Sequence, residues 1–338
     1  MSVALVSMLC SCSDTLDGLR PNTPEGNFRA LWEIVDTKYC YLDDSRLDWD
    51  GVYRHYEPQV KALKPGDYLG LFDLMKDMLD TLHDGHVNIY TPFDISSFSD
   101  RYDGYPTCFN SSLIFNSNYL GRDYRIAGSA YYHYLRDSVG YMRYPSMNNA
   151  LSLSNLYYIF KYFRRARGLI IDLRSNPGGS LTNSELLASA FINQTTDVGY
   201  RRHKTGPGHN DFSQPQKMTL EPAYVRWGRP AVLLVDRGVY SAANHCALCF
   251  KHAPQVKIIG CRTGGGGGLP LSYELPNGWL VRLSSVPMYD LEMNSIEDGV
   301  EPDITLPLDP AEVAAGKDNL IEAAIDDVLQ RFNAAQQQ

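Results

Sequence analysis

From Pro24 onward apolar residues recur every three or four positions: Phe28, Leu31, Trp32, Ile34, Val35 and Tyr39. That spacing places them on one helical face and predicts a first helix. A second stripe, Leu71, Phe72, Met75, Leu79 and Leu82, predicts another over about 67–82. The pattern stops at His83, Asp84 and Gly85, where Gly85 suits a left-handed, helix-ending turn, and His86 opens a short strand over 87–90. Residues 91–137 are rich in Tyr, Ser, Asp and Asn and read as irregular structure with short strands. A strand over 138–144 and a helix over 149–166 follow. The continuous apolar run at 168–173 then predicts a strand buried on both faces. Beyond it come a helix over 182–192, a polar loop at 203–215, a strand at 231–235, a helix over about 241–252, a strand at 256–260 and short strands near 279–289. Strands alternating with helices predict an α/β core.

Composition narrows the function classes. The chain has 338 residues, 44% hydrophobic and 21% charged, which excludes disorder, collagen and coiled coil as its main state. A net charge of −8 argues against a nucleic-acid grip, which needs clustered Lys and Arg facing phosphates. No apolar run reaches the roughly 18 residues of a membrane span. Tyr is in surplus: 23 residues, 12 of them between Tyr102 and Tyr162.

The seven cysteines, at 10, 12, 40, 108, 246, 249 and 261, are odd in number and irregularly spaced, so they describe no disulfide framework. Cys246 and Cys249 lie one turn apart in a helical pattern with no second pair at zinc-ligand distance; they read as buried helix cysteines, and no metal is expected. The opening MSVALVSMLCSCSD resembles the end of a bacterial lipoprotein signal, with Leu9, Ser11 and Cys12 at the −3, −1 and +1 positions. Its apolar run is short and no Lys or Arg precedes it. On this reading residues 1–11 are removed, Cys12 carries a lipid and 12–23 form a tether; the competing reading is a frayed apolar N-terminus.

Four places could carry chemistry. Ser241, in DRGVYSAANHC, follows a buried strand and opens a helix, where free N–H groups and the positive dipole end gather. It could cap the helix, or act as a nucleophile with the Ala242 N–H facing the oxyanion it creates. Residues 172–180, DLRSNPGGS, place Gly178 and Gly179 at a strand-to-helix turn. They could close that turn, or let a second N–H donor approach a ligand without a Cβ in the way. His86, in LHDGHV, is a structural histidine or a general base. Glu297, in SIEDGVEPD, is an orienting carboxylate or an acidic turn residue.

Together these pieces resemble one family, the S41 serine peptidases, which include the tail-specific processing proteases and the tricorn protease core. The matching segments are LHDGHV (82–87), GLIIDLRSNPGGS (168–180), VYSAANH (239–245), IIGCRTGGG (258–266) and IEDGVEPDI (296–304), in the family's order. The resemblance implies Ser241 as nucleophile and an oxyanion hole from the Ala242 N–H and the Gly178/Gly179 turn. One branch of the family pairs its serine with a lysine, but that position falls on Gly266 within the pentaglycine 264–268. The tricorn-like branch uses His, Ser and Glu, and His86 and Glu297 match it. A histidine near pKa 6.5 also suits a base at neutral pH better than a lysine near 10.4. Asp84 and Arg262 could shape the site or bind a substrate carboxylate. The pentaglycine lacks a following Lys-Ser/Thr and is no phosphate loop; it lets the chain pass close to the site.

The expected fold is α/β, a ClpP/crotonase-like core with a small helical N-terminal domain. Its divisions are a helical domain at 24–90, a Tyr-rich connecting segment at 91–137, a catalytic core at 138–307 and a helical tail at 308–338. The connecting segment is too short for the complete PDZ domain many members carry there. Its Tyr102, Tyr105, Tyr131, Tyr132 and Tyr134 could line a peptide groove or build a small β layer. The expected function is a serine endopeptidase acting on peptide or protein substrates without a cofactor, lipid-anchored at the bacterial cell envelope. Competing readings are a non-catalytic peptide- or lipid-binding member of the same fold and a crotonase-like acyl-CoA enzyme.

Overall fold

Three capped helices open the structure, a computed structural model that describes residues 20–43, 46–98 and 104–337. They are α1 (Pro24–Lys38), α2 (Trp49–Lys61) and α3 (Tyr68–Asp80). Side-chain oxygens of Thr23, Asp48 and Asp67 accept the first-turn N–H groups of Gly26, Gly51 and Gly70. Both expected helices form, and their apolar stripes lie in one core. α2 was not expected. Only Trp49 and Val60 of it are buried and Pro58 sits inside it, so it carries no readable stripe. After α3 the helical-type bonds run on to His83, whose N–H reaches Asp80 O at 3.1 Å. The left-handed residue is therefore His83, with φ 53°, and not Gly85. The chain then enters β1 (Asn88–Tyr90).

The described part of the Tyr-rich segment forms α4 (Ser111–Ile114), β2 (Arg125–Ala127) and β3 (Ala130–Tyr134). The core follows as β4 (Val139–Arg143), α5 (Leu153–Tyr162), β5 (Gly168–Asp172), α6 (Leu181–Ser189), β6 (Thr196–Arg201) and β7 (Gln216–Leu220). It continues with β8 (Ala231–Val235), α7 (Ala242–Phe250), β9 (Val256–Gly260), β10 (Gly268–Glu274), β11 (Leu280–Tyr289) and β12 (Ile304–Thr305). Helices α8 (Pro310–Ala314) and α9 (Asn319–Ala335) end the chain. β6 and β7 flank the expected polar loop but were not themselves expected. They bury only Val198, Met218 and Leu220 as apolar contacts.

The main sheet runs β12-β9-β8-β5-β4-β3-β2. β4, β5, β8, β9 and β12 are parallel, and the Tyr-rich segment adds β3 and β2 antiparallel at one edge. Alternation along β5 sends Leu169 and Ile171 to a core under α5, α6 and α7, and Ile170 to a second core under α9. A smaller sheet orders β1-β11-β6-β7, with β10 also on β11. β11 joins the two halves of the molecule. Val281 and Leu283 pack into the helical unit's core, and Met288 into the main one.

The absence of a cysteine pattern hid one bridge: Cys108 and Cys261 form a disulfide, 153 residues apart with Cα atoms 6.2 Å apart. The fold brings them together where the connecting segment runs beside the stretch after β12, the neighbour of β9, through the Leu308 N–H to Thr107 O bond. Cys246 and Cys249 are buried, unbridged and on α7. Cys12 and Tyr102 lie outside the described residues. Among the described residues, no helix is long and apolar enough to cross a membrane.

Candidate active site

β8 is apolar throughout and fully buried, so it delivers its following loop to a fixed place at the sheet's C-terminal edge. Asp236 at its end accepts N–H bonds from Gly238 (3.0 Å) and Ser175 (2.7 Å), tying the loops after β8 and β5 together. Ser241 ends that loop with φ 56° and ψ −124°, a conformation costly for any residue but glycine. Its side chain makes no capping bond to α7. Instead Oγ lies 2.9 Å from Nε2 of His86. The Ser241 N–H donates to Gly265 O at 2.8 Å, which holds the strained backbone.

His86 comes from the other half of the molecule, on the turn between α3 and β1. It is buried, and its N–H donates to Asp84 Oδ1 at 2.7 Å. Its ring lies 4.9 Å from the Tyr240 ring, centroid to centroid.

The turn after β5 supplies the anion side. Gly178 and Gly179 have φ of +90° and +136°. The Gly178 N–H is taken by Asn176 Oδ1 at 2.9 Å. Among the described residues the N–H groups of Gly179 and of Ala242, the first residue of α7, have no acceptor. A Cβ on Gly178 would stand 2.8 Å from Ala242 N and 2.5 Å from Tyr240 O. Glycine there keeps the ground beside Ser241 open. Below the turn, buried Arg174 pairs with Asp172 (2.7 Å) and Asp318 (2.8 Å), and Tyr141 donates to Asp172 at 2.6 Å. Asp318 also caps α9, so the terminal helix braces the turn. Burial alone would raise the Asp172 pKa, but Arg174 and Arg143 hold it below the usual carboxylate value.

The pentaglycine threads between these parts. A Cβ on Gly265 would meet Glu297 O at 1.7 Å, and one on Gly266 would meet Tyr240 Cζ at 2.6 Å and His86 Cε1 at 3.0 Å. The position a lysine would need is thus filled by the two rings. Lys251 and Lys257 are engaged elsewhere, each 2.6 Å from a carboxylate, Asp303 and Asp327 respectively. Glu297 accepts from the Gly268 N–H at 3.1 Å. Desolvation, then the charge of Asp84, pushes its pKa well up; the Gly267 and Gly268 N–H groups pull less strongly the other way.

A cleft of about 630 Å³ adjoins the site, lined by Tyr39, Tyr41, Asp84, Tyr240, Tyr289 and Glu297 among others. The β6–β7 hairpin tip closes one side. His209 bonds Asp43 (2.6 Å) and Asp36 (2.9 Å) of the helical unit.

Several candidates fall elsewhere. Arg262 pairs with Glu301 at 3.2 Å. Tyr131, Tyr132 and Tyr134 sit on β3 in aromatic clusters with Tyr124, Phe163 and Tyr162, so they build a β layer and do not line the cleft. Tyr105, by contrast, stays beside the cleft: it stacks under Arg237 of the cleft wall, 3.8 Å from guanidinium to ring centroid. Asn176, Tyr240 and Ser284 were not anticipated at the site. An Asn that orders a turn, or an aromatic before a serine, leaves no spacing signal.

A serine in a strained strand-to-helix turn, an imidazole within hydrogen-bonding reach and open N–H groups beside them define a serine-hydrolase arrangement. Sequence comparison narrows the class. The chain belongs to peptidase family S41: the family profile matches residues 138–306, and that of the tricorn protease C1 domain matches 20–80. A crystal structure of a candidate peptidase from Parabacteroides merdae is 41% identical, with a TM-score of 0.85 over 91% of this chain and 98% of that one. The tricorn protease of Thermoplasma acidophilum is 26% identical over 201 residues, covering 58% of this chain and 17% of that one. The carboxy-terminal processing protease CtpA of Bacillus subtilis is 28% identical over 119 residues, covering 35% and 24%. The chain thus spans less than a quarter of the length of these two curated relatives.

Proposed function

We propose that the chain is a serine endopeptidase working through an acyl-enzyme on Ser241. The observation that carries this reading is the 2.9 Å contact between Ser241 Oγ and His86 Nε2. His86 takes the hydroxyl proton as Oγ attacks the peptide carbonyl carbon. The resulting oxyanion sits against the N–H groups of Ala242 and Gly179, with Gly178 keeping the space clear. His86 then protonates the leaving amine, the C–N bond breaks and an ester remains on Oγ. Water, deprotonated by His86, attacks that ester; the carboxylic product leaves and the Ser241 hydroxyl is restored. Each oxyanion donor is worth about 3–4 kcal/mol, or a hundred- to a thousandfold in rate. Glu297, held half-buried in the cleft wall, biases the base system and anchors the glycine loop.

The lipid anchor on Cys12 and a place at the cell envelope are part of the same proposal. The Cys108–Cys261 bridge supports them, since such bonds persist in oxidising compartments. A fluorophosphonate probe tests the chemistry: wild type should be labelled on Ser241, and Ser241→Ala should not. Equal labelling of the two refutes the mechanism. Incorporation of radiolabelled palmitate into wild type but not Cys12→Ser tests the anchor.

A further inference from the structure

Tyr240 stands one peptide bond before Ser241, so its backbone moves with the nucleophile. That backbone is pinned, its N–H donating to Asn176 O at 3.0 Å. The ring, 6% exposed, leans on the His86 imidazole at 4.9 Å and 47°. Its phenol approaches Asp84 Oδ1 at 3.4 Å, a long contact. Asp84 is the anchor of the His86 turn. Oδ1 accepts the His86 N–H and Oδ2 accepts the Ser284 hydroxyl of β11 at 2.7 Å. The base and the nucleophile come from different halves of the molecule, and the Tyr240 ring bridges them directly. The space it occupies exists because residue 266 is glycine, since a Cβ there would overlap the ring edge.

We propose that Tyr240 is a positioning residue: its ring face holds the His86 imidazole in line with Ser241 Oγ. The inference rests on the serine-peptidase reading above. The ring does the work and the phenol contact adds little. Displacing reacting groups by about 1 Å costs roughly a hundredfold, so loss of the ring should be felt in the chemical step and not in substrate binding.

The test compares wild type, Tyr240→Phe and Tyr240→Ala by fluorophosphonate labelling rate and by kcat and KM on a fluorogenic peptide. Tyr240→Phe keeps the ring and should stay within about threefold of wild type. Tyr240→Ala should label at least about thirtyfold more slowly, with kcat reduced in proportion and KM within about threefold. Should Tyr240→Ala not fold, Tyr240→Leu fills the volume without a ring and carries the same expectation. The proposal is overturned if the ring-less variant labels within threefold of wild type, if Tyr240→Phe is as slow as the ring-less variant, or if the loss lies in KM. A wild type that does not label at all refutes the serine-peptidase reading instead.

Discussion

Gly178→Ala is the sharpest probe of the anion side of the site. The new Cβ would lie 2.5 Å from Tyr240 O, 2.8 Å from Ala242 N and 2.8 Å from Ser241 Cβ. All three are under the approach real Cβ atoms make, and two are backbone atoms that cannot swing away. The backbone must also keep φ +90°, which costs an alanine about 1–2 kcal/mol. Relief of the clash pushes the turn off the first residue of α7, so the Ala242 N–H no longer faces the developing oxyanion squarely. Loss of one such donor is worth about 3–4 kcal/mol, so kcat should fall by about a hundred- to a thousandfold with KM nearly unchanged. Steady-state kinetics on a peptide, with a thermal melt beside it, separates this from unfolding. Gly179→Ala perturbs the other proposed donor, which also sits at a left-handed φ of +136°. Its Cβ would strike Asn148 N at 2.3 Å, so it should lower stability and kcat together. A Gly178→Ala enzyme with kcat within fivefold of wild type would refute the assigned oxyanion geometry.

Other consequences are open to measurement. Asp318→Asn keeps a cap for α9 but leaves buried Arg174 short of one charge, and should cost about 3–5 kcal/mol by urea denaturation; a loss under 1 kcal/mol would remove the brace from the account. Glu297 has its folded pKa raised above the ordinary 4.5, so the stability linked to it is complete below that value and is lost as pH rises through the folded pKa. Glu297→Gln should therefore melt progressively higher than wild type as pH climbs from 4.5; parallel curves would refute this. Closing a loop of 153 residues by the Cys108–Cys261 bridge is worth up to about 5 kcal/mol in the chain-entropy account. Reductant should lower the denaturation midpoint of wild type but not of Cys108→Ala/Cys261→Ala.

What could be read in advance follows a physical division. α1 and α3 bury one face each and so carry a helical period, while β5 and β8 bury both faces and so read as continuous apolar runs. α2 and the β6–β7 hairpin bury too little to leave a period, and they went unseen. The same division holds at the site. Ser241 and His86 stand in segments whose local form is demanded by their turns, and the resemblance to a family found them. Tyr240, Asn176 and Ser284 matter through contacts between distant segments, Ser284 with Asp84 at a separation of 200 residues. The disulfide went unseen for the same reason. The left-handed turn was misplaced by two residues because helix-type hydrogen bonding, and not glycine, decided where α3 reversed.

The glycine loop has a bearing on how such a site can change over generations. Placing a lysine at position 266 would set its Cβ into the space of the Tyr240 and His86 rings. That substitution alone would damage the existing base before supplying a new one. Retreat of the tyrosine alone would open a void and loosen the histidine. Passage between a lysine-based and a histidine-based enzyme along this backbone therefore crosses a fitness valley. Residues 86, 240 and 266 should accordingly change as a group in the lineages that carry the fold.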